Sequence, residues 1–125
     1  MAKKKVLDLV LKAKWYDMIA EGKKREEYRE IKPYWCKRLL KTSYNNKEWE
    51  AQLQFMQRNN YVNSLLNWYK PVPYTHIRFR RGYTSTTMIF SIGRFDVRTG
   101  NPEWGAEPNK LYFTFSILTM LGQSA

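Results

Sequence analysis

Four segments of this chain alternate apolar and polar residues, and this two-residue period constrains the fold more than any other feature of the sequence. In the first segment, Leu7, Leu9 and Leu11 alternate with Asp8, Val10 and Lys12. Side chains two apart share one face of a β-strand, so such a pattern predicts strands with one well-buried face. The predicted strands cover residues 5–12, 75–81, 86–98 and 110–118.

Helical spacing occurs between these segments. Trp15, Met18 and Ile19 fall on one helical face, and Gly22 follows where a helix ends on a left-handed residue. Pro33 suits the first turn of a second helix, which we expect to run to about residue 41. The remaining elements are predicted as a helix over 48–58 and a charged strand over 24–31.

Helices come early in the chain and strands dominate its second half. This order favours an α+β fold, with about five strands in a small mixed β-barrel and short flanking helices. Residues 42–73 are rich in asparagine and nearly neutral, so we predict a single domain over 1–125 with a helical insertion at 42–73. Gly93 interrupts the longest strand and predicts a bulge or bend there.

The composition excludes several classes of function. Cys36 is the only cysteine and His76 the only histidine, so no internal disulfide is possible and no zinc site is expected. The glycines are too scattered for a phosphate-binding loop, so ATP use and dinucleotide binding are not supported. We expect no metal and no cofactor. No apolar run is long enough to span a membrane, and no secretory signal is visible, so the expected location is cytoplasmic.

The net charge of +11 indicates a polyanionic partner. The excess is uneven, because residues 1–41 carry 13 basic and 6 acidic side chains, whereas residues 42–73 carry 3 and 2. Basic proteins of this kind bind nucleic acids mainly through their phosphates. RNA or a nucleotide is therefore the expected partner, although a basic surface can also serve solubility alone.

The densest charge lies in the run from Gly22 to Arg29. In a strand, Arg25, Glu27 and Arg29 would project from one face. An acid between two arginines can be held ionised, as an anion-binding or proton-transfer site requires. The alternative is a solvated edge strand, and in either case we expect the charged groups of Lys24 and Arg29 to be exposed.

A second basic cluster lies in the predicted strand over residues 75–81, and a tyrosine follows it closely. Arginine side chains suit phosphate, and aromatic rings near charge or turns suit base stacking. Trp15, Trp49 and Trp68 lie on apolar stripes, and we assign these three tryptophans to packing. The candidate nucleic-acid contacts of this cluster are Arg78, Arg80, Arg81 and Tyr83, and the further stacking candidates near charge or turns are Tyr28, Trp35 and Trp104.

Gly22, Lys24 and Arg29 fit the pattern Gly-x-Lys-x-x-x-x-Arg after a short helix. This pattern resembles the motif of the ASCH domain, the activating-signal-cointegrator homology family of the PUA-like superfamily. The segments VLDLVLKAKWYDMIAEGKKREEYRE, HIRFRRGYTSTTMIF and PEWGAEPNKLYFTFSIL are similar, in order, to the opening, central and closing strands of that family. The likeness covers residues 5–41 and 74–122.

The resemblance implies a small β-barrel around a basic cleft that takes RNA. It also implies that Lys24 matches a lysine that works in the amidohydrolases of the family, which deacetylate acetylcytidine. Those enzymes carry a threonine three residues later, where this chain has Glu27. A carboxylate cannot simply replace a hydroxyl nucleophile, so the deacetylase mechanism does not transfer as it stands.

The favoured function is binding of RNA or a modified nucleotide in a basic cleft. Lys24 and Arg29 would hold phosphate, and Glu27 would accept hydrogen bonds from a base amine or a sugar hydroxyl. The first alternative is a hydrolase of a modified nucleoside or of RNA, with Lys24 as base and Glu27 as its acid/base partner. The second is a protein-interaction module that uses the 42–73 insertion, through Trp49, Leu53, Trp68 and Tyr69.

Overall fold

The computed structural model describes residues 3–124. The helices are α1 (Ala13–Ala20), α2 (Pro33–Leu39), α3 (Asn46–Arg58) and α4 (Leu65–Trp68). The strands are β1 (Val6–Leu11), β2 (Glu26–Glu30), β3 (His76–Arg81), β4 (Thr87–Thr99) and β5 (Leu111–Ser124). Two short 3₁₀ turns cover Val62–Ser64 and Pro102–Trp104.

The strands form one five-stranded sheet in the order β1-β3-β4-β5-β2. Strand β1 pairs in parallel with β3, so that Leu7 lies opposite Ile77, and β3 pairs antiparallel with β4. The predicted α+β class with a mixed five-stranded sheet and short helices is confirmed. The strand order begins with β1 and ends with β2, and closure into a barrel stays a prediction.

The chain divides into two compact units. Among the described residues, the first holds 3–27, 73–95 and 115–124. Its core is apolar because the buried faces of β1 and β3 both carry large aliphatic or aromatic residues. The fully buried members of these strands and α1 are Leu7, Leu9, Leu11, Tyr16, Ile19, Ile77 and Phe79.

The second unit holds residues 28–72 and 96–114. Helices α2 and α3 bury one side each, with Cys36 and Leu39 on the first and Trp49 and Leu53 on the second. Leu40 forms an antiparallel bridge with Pro71, so the two ends of the 42–73 segment lie side by side. The helix predicted within this segment is confirmed, while its status as an insertion stays a prediction.

Three details of the elements differ from the predicted ones. Helix α3 begins at Asn46 because the Asn45 side chain accepts a hydrogen bond from the Glu48 amide at 2.8 Å. Strand β4 continues through Gly93, where a Cβ would lie 2.9 Å from the Leu118 side chain. This glycine therefore permits a close approach of Leu118 within an unbroken strand. Strand β5 extends six residues beyond the predicted end, although its apolar alternation stops there.

Candidate functional site

The turn after α1 determines where Lys24 lies. Gly22 adopts a φ of +77°, and its missing Cβ would meet nothing within 4 Å, so the backbone angle alone explains the glycine. The amides of Lys23 and Lys24 both donate to the Met18 carbonyl, at 2.8 and 3.1 Å. The chain thus reverses directly after α1 and returns Lys24 to the side of that helix.

Lys24 and Glu27 form a buried ion pair in the first unit. The Lys24 Nζ lies 3.3 Å from the Glu27 Oε1, and the side chains are 1% and 8% exposed. The Lys24 ammonium also lies 5.4 Å from the centroid of the Trp15 ring, within the range of a cation–π contact. The expectation that Lys24 is exposed is therefore wrong, because its side chain is buried between contacts with Glu27 and the Trp15 ring.

The strand alternation predicted for this run fails at the same point. Strand β2 begins only at Glu26, so Lys24 belongs to the turn and does not follow the strand period. For this reason Lys24 and Glu27 meet, although alternate-residue counting places them on opposite faces. Trp15 was assigned to packing, and it is half-buried with the ammonium groups of Lys14 and Lys24 over its ring.

The three arginines of β3 project from two faces of the strand. Arg78 and Arg80 alternate with the buried Ile77 and Phe79, so they lie on the opposite face of the sheet. Arg81 lies on the same face as Phe79, and its guanidinium binds α1. Arg81 and Lys24 thus both contact α1, whereas Arg78 and Arg80 belong to the other side of the sheet.

Each of these arginines has a defined partner in the first unit. Arg78 donates to Asp8 at 3.1 Å, and Arg80 donates to the Thr84 carbonyl at 3.0 Å. Arg81 holds both carboxylate oxygens of Asp17 at 3.0 Å. This two-point contact lowers the pKa of Asp17 and raises that of Arg81.

The candidate stacking residues are differently placed. Tyr83 follows Gly82, whose φ is +55°, and is 98% exposed. Trp104 is half-buried in the 3₁₀ turn Pro102–Trp104 of the second unit. Arg29 also belongs to the second unit, where its guanidinium carbon lies 5.0 Å from the centroid of the Trp35 ring. The predicted motif therefore extends across the boundary between the two units.

The residues proposed for a protein-binding surface in the 42–73 segment separate into two groups. Trp49 and Leu53 are core residues, and Trp49 packs against the rings of Tyr44 and Tyr69 at 5.2 and 4.8 Å. Trp68 is 63% exposed, so its assignment to packing is wrong. Its position near the end of the four-residue helix α4 explains the error, because one turn is too short for helical spacing to indicate a buried face.

Comparisons with protein-family models, with curated proteins and with solved structures find no match to this chain. The ASCH resemblance therefore stays a hypothesis. Among the helices of residues 3–124, none is long and apolar enough to cross a membrane. The same residues contain no group of three or more His, Cys, Asp or Glu side chains arranged to hold a metal ion.

The contact of Trp15 with Lys24 is the feature of this site that the sequence analysis missed. The residues are nine positions apart, and Trp15 shares a helical face with apolar neighbours, so it resembles a core residue. The available signal was Gly22, since a glycine that ends a helix returns the following residues toward the last turns of that helix.

Proposed function

We propose that this protein binds RNA or a modified nucleotide, and that the Lys24–Glu27 pair of the first unit is its recognition centre. The observation that carries the proposal is the burial of both charged groups at a separation of 3.3 Å. Placing charges in a protein interior costs solvation energy, and apolar residues of similar size often give equal or greater stability. Because Lys24 also belongs to the Gly-x-Lys-x-x-x-x-Arg pattern, a role in ligand binding explains the buried pair better than a role in stability.

The two partners offer complementary hydrogen-bonding groups to a base. The Glu27 carboxylate can accept from an exocyclic amine or a sugar hydroxyl, and the Lys24 ammonium can donate to a carbonyl or a ring nitrogen. Glu27 is the more exposed of the two side chains, so a ligand would reach it first. The Trp15 ring beside Lys24 adds an aromatic surface at this place.

The proposal includes the finer features expected from the ASCH resemblance. These are a PUA-like barrel, a cytoplasmic location, and phosphate contacts from the basic residues already named. The exposed Tyr83 and the partly exposed Arg78 of the first unit are compatible with such contacts. No cofactor and no metal is part of this proposal.

The decisive experiment replaces the buried pair by apolar residues of similar size. In the double variant Lys24→Met with Glu27→Leu, the fold should persist, because such replacements are often neutral or stabilising. The matched control is Lys23→Met with Glu21→Leu, which removes a neighbouring ion pair of 2.9 Å whose side chains are 69% and 54% exposed. Thermal unfolding establishes folding, and binding is measured on RNA oligonucleotides and a panel of modified nucleotides.

We expect the buried-pair variant to unfold at or above the wild-type temperature and to lose at least about tenfold in affinity, roughly 1.4 kcal/mol. The exposed-pair control should bind within about twofold of wild type. Equal binding by the folded buried-pair variant would overturn the proposal. Failure of the wild type to bind any ligand of the panel would also overturn it.

A hydrolase is the second candidate, and the 3.3 Å separation of the Lys24 ammonium and the Glu27 carboxylate favours it. A base and an acid this close can exchange a proton directly or through one water. In the variant Glu27→Gln the shape stays and the proton-transfer group is lost. Any hydrolysis of acylated cytidine or RNA should fall about 100- to 10,000-fold while affinity stays within about tenfold. Retained turnover in a folded Glu27→Gln protein would exclude this role.

A further inference from the structure

We propose that the exposed face of α2, in the second unit, is a stacking surface for single-stranded nucleic acid. The α2 surface is formed by Tyr34, Trp35, Lys37 and Arg38 of the helix together with Arg29 of β2. It shares with the function proposed above the class of ligand and Arg29, which that function assigns to a phosphate. None of its residues belongs to the Lys24–Glu27 pair, so the two proposals can fail separately.

Helix α2 has two sides of different character. Cys36 and Leu39 anchor one side in the core of the second unit, with 0% and 1% exposure. On the other side, Tyr34 is 53% exposed, and Lys37 and Arg38 are exposed as well. Since the buried side already attaches the helix, the exposed tyrosine ring is available as a contact surface.

Guanidinium groups and aromatic rings alternate across the α2 surface. The Arg29 guanidinium carbon lies 5.0 Å from the centroid of the Trp35 ring. The corresponding distances from Arg38 are 5.7 Å to Trp35 and 5.3 Å to Tyr34. Tyr34 and Trp35 meet edge to face at 4.9 Å. These contacts hold planar groups in place, so that less conformational entropy is lost when a base stacks on them.

The charge around α2 fits a polyanion. Residues 29–41 contain five basic side chains and one acidic side chain, Glu30. That glutamate accepts a hydrogen bond from Lys110 at 3.2 Å. Helix α2 itself contains no acidic residue, and its last turn carries Lys37 and Arg38. Phosphates would therefore meet a strongly positive local field next to the rings.

The combination of aromatic rings and basic side chains on the α2 surface favours single-stranded nucleic acid over an acidic protein segment. An acidic peptide satisfies the charge but has no ring to lie on Tyr34 or on a guanidinium plane. In a duplex the bases are already stacked on one another and their faces are covered. Unpaired bases use both features of the surface, because proteins that bind single strands combine a basic path with aromatic stacking.

The test uses fluorescence anisotropy with labelled 12-residue oligonucleotides of adenine in RNA and DNA form, a duplex of the same length, and polyglutamate as competitor. Tyr34→Leu should weaken binding of the single strands about 5- to 100-fold, the effect of losing one stacked base. The matched control is Tyr61→Leu, since Tyr61 is also an exposed tyrosine of this unit, at 46% exposure. Its binding should equal that of wild type.

Arg38→Gln should reduce the slope of log affinity against log salt by about 0.7, the loss of one phosphate contact on a single strand. Arg58→Gln, at the exposed end of α3, should leave the slope unchanged. Equal single-strand binding by the Tyr34→Leu and Tyr61→Leu proteins would overturn the proposal. Tighter binding of the duplex, or displacement of RNA by polyglutamate at equal charge, would also overturn it.

The Lys24→Met with Glu27→Leu background separates this proposal from the previous one. A Tyr34→Leu effect of the same size in that background supports an independent surface on α2. An effect of Tyr34→Leu without any effect of the buried-pair variant would retain the α2 surface and reject the recognition centre. Preference for RNA over DNA of the same sequence would show that the 2′-hydroxyl is also read.

Discussion

The arginines of β3 and those around α2 are held by different partners. On β3, Arg78 and Arg81 meet the carboxylates of Asp8 and Asp17, at 3.1 and 3.0 Å. Around α2, Arg29 and Arg38 lie over the rings of Trp35 and Tyr34. A carboxylate beside an arginine neutralises much of the local positive field, whereas a ring contact brings no negative charge of its own.

This difference changes how the net charge should be interpreted. The total of +11 counts an arginine beside a carboxylate and an arginine over a ring alike. Residues 29–41 around α2 carry five basic side chains and one acidic side chain, so the α2 surface has a local excess of positive charge. The structure thus directs attention to α2, where the sequence indicated Trp35 as a stacking residue but not the exposure of Tyr34 beside it.

Burial makes a second contrast, between two ion pairs on either side of the same turn. Lys24 and Glu27 are 1% and 8% exposed, whereas Lys23 and Glu21 are 69% and 54% exposed. Exposed pairs contribute little to stability because water and salt screen them. Removing one member of a buried pair leaves the other charge in a poorly solvated place.

The largest effect is therefore expected for Glu27→Ala. This change removes the carboxylate at 3.3 Å from the buried Lys24 ammonium, and the free energy of unfolding should fall by about 3–5 kcal/mol. Glu21→Ala, on the exposed pair, should cost less than about 1 kcal/mol. Urea denaturation of the two variants gives both values. Equal small costs would mean that the Lys24 environment is far more hydrated than its burial indicates.

Much of the fold follows from local pattern. The alternation of Leu7, Leu9 and Leu11 predicts β1, and the two-residue period likewise predicts β3, β4 and the first part of β5, because one face of each strand is apolar. The end of β5 could not be predicted, since Leu118, Met120 and Leu121 remain exposed and break the alternation. There the backbone continues as a strand without a buried apolar face.

The candidate site was less predictable because it depends on contacts that are distant in sequence. Gly22, Lys24 and Glu27 could be selected from residue types and spacing, but Lys24 is buried with its ammonium near Trp15, nine residues earlier in the chain. The pairing of Arg78 with Asp8 joins residues 70 positions apart, through the parallel register of β1 and β3. No local pattern contains that register.

The smallest expected effect concerns Asp17 and Arg81, and it tests whether the β3 arginines are neutralised as described. Their two hydrogen bonds of 3.0 Å lower the pKa of Asp17 in the folded protein below its ordinary value of 3.8. A carboxyl group with a lowered pKa stabilises the fold above its unfolded pKa, and this contribution disappears as the pH falls through the folded pKa.

A double-mutant cycle of Asp17→Asn and Arg81→Gln should therefore show a small favourable coupling at pH 7. The coupling should decline below about pH 4 and also weaken in high salt, because both side chains are partly exposed. A coupling that stays constant from pH 7 to pH 2 would show that the Asp17 charge does not hold Arg81, and would remove the contrast with the ring-bound arginines of α2.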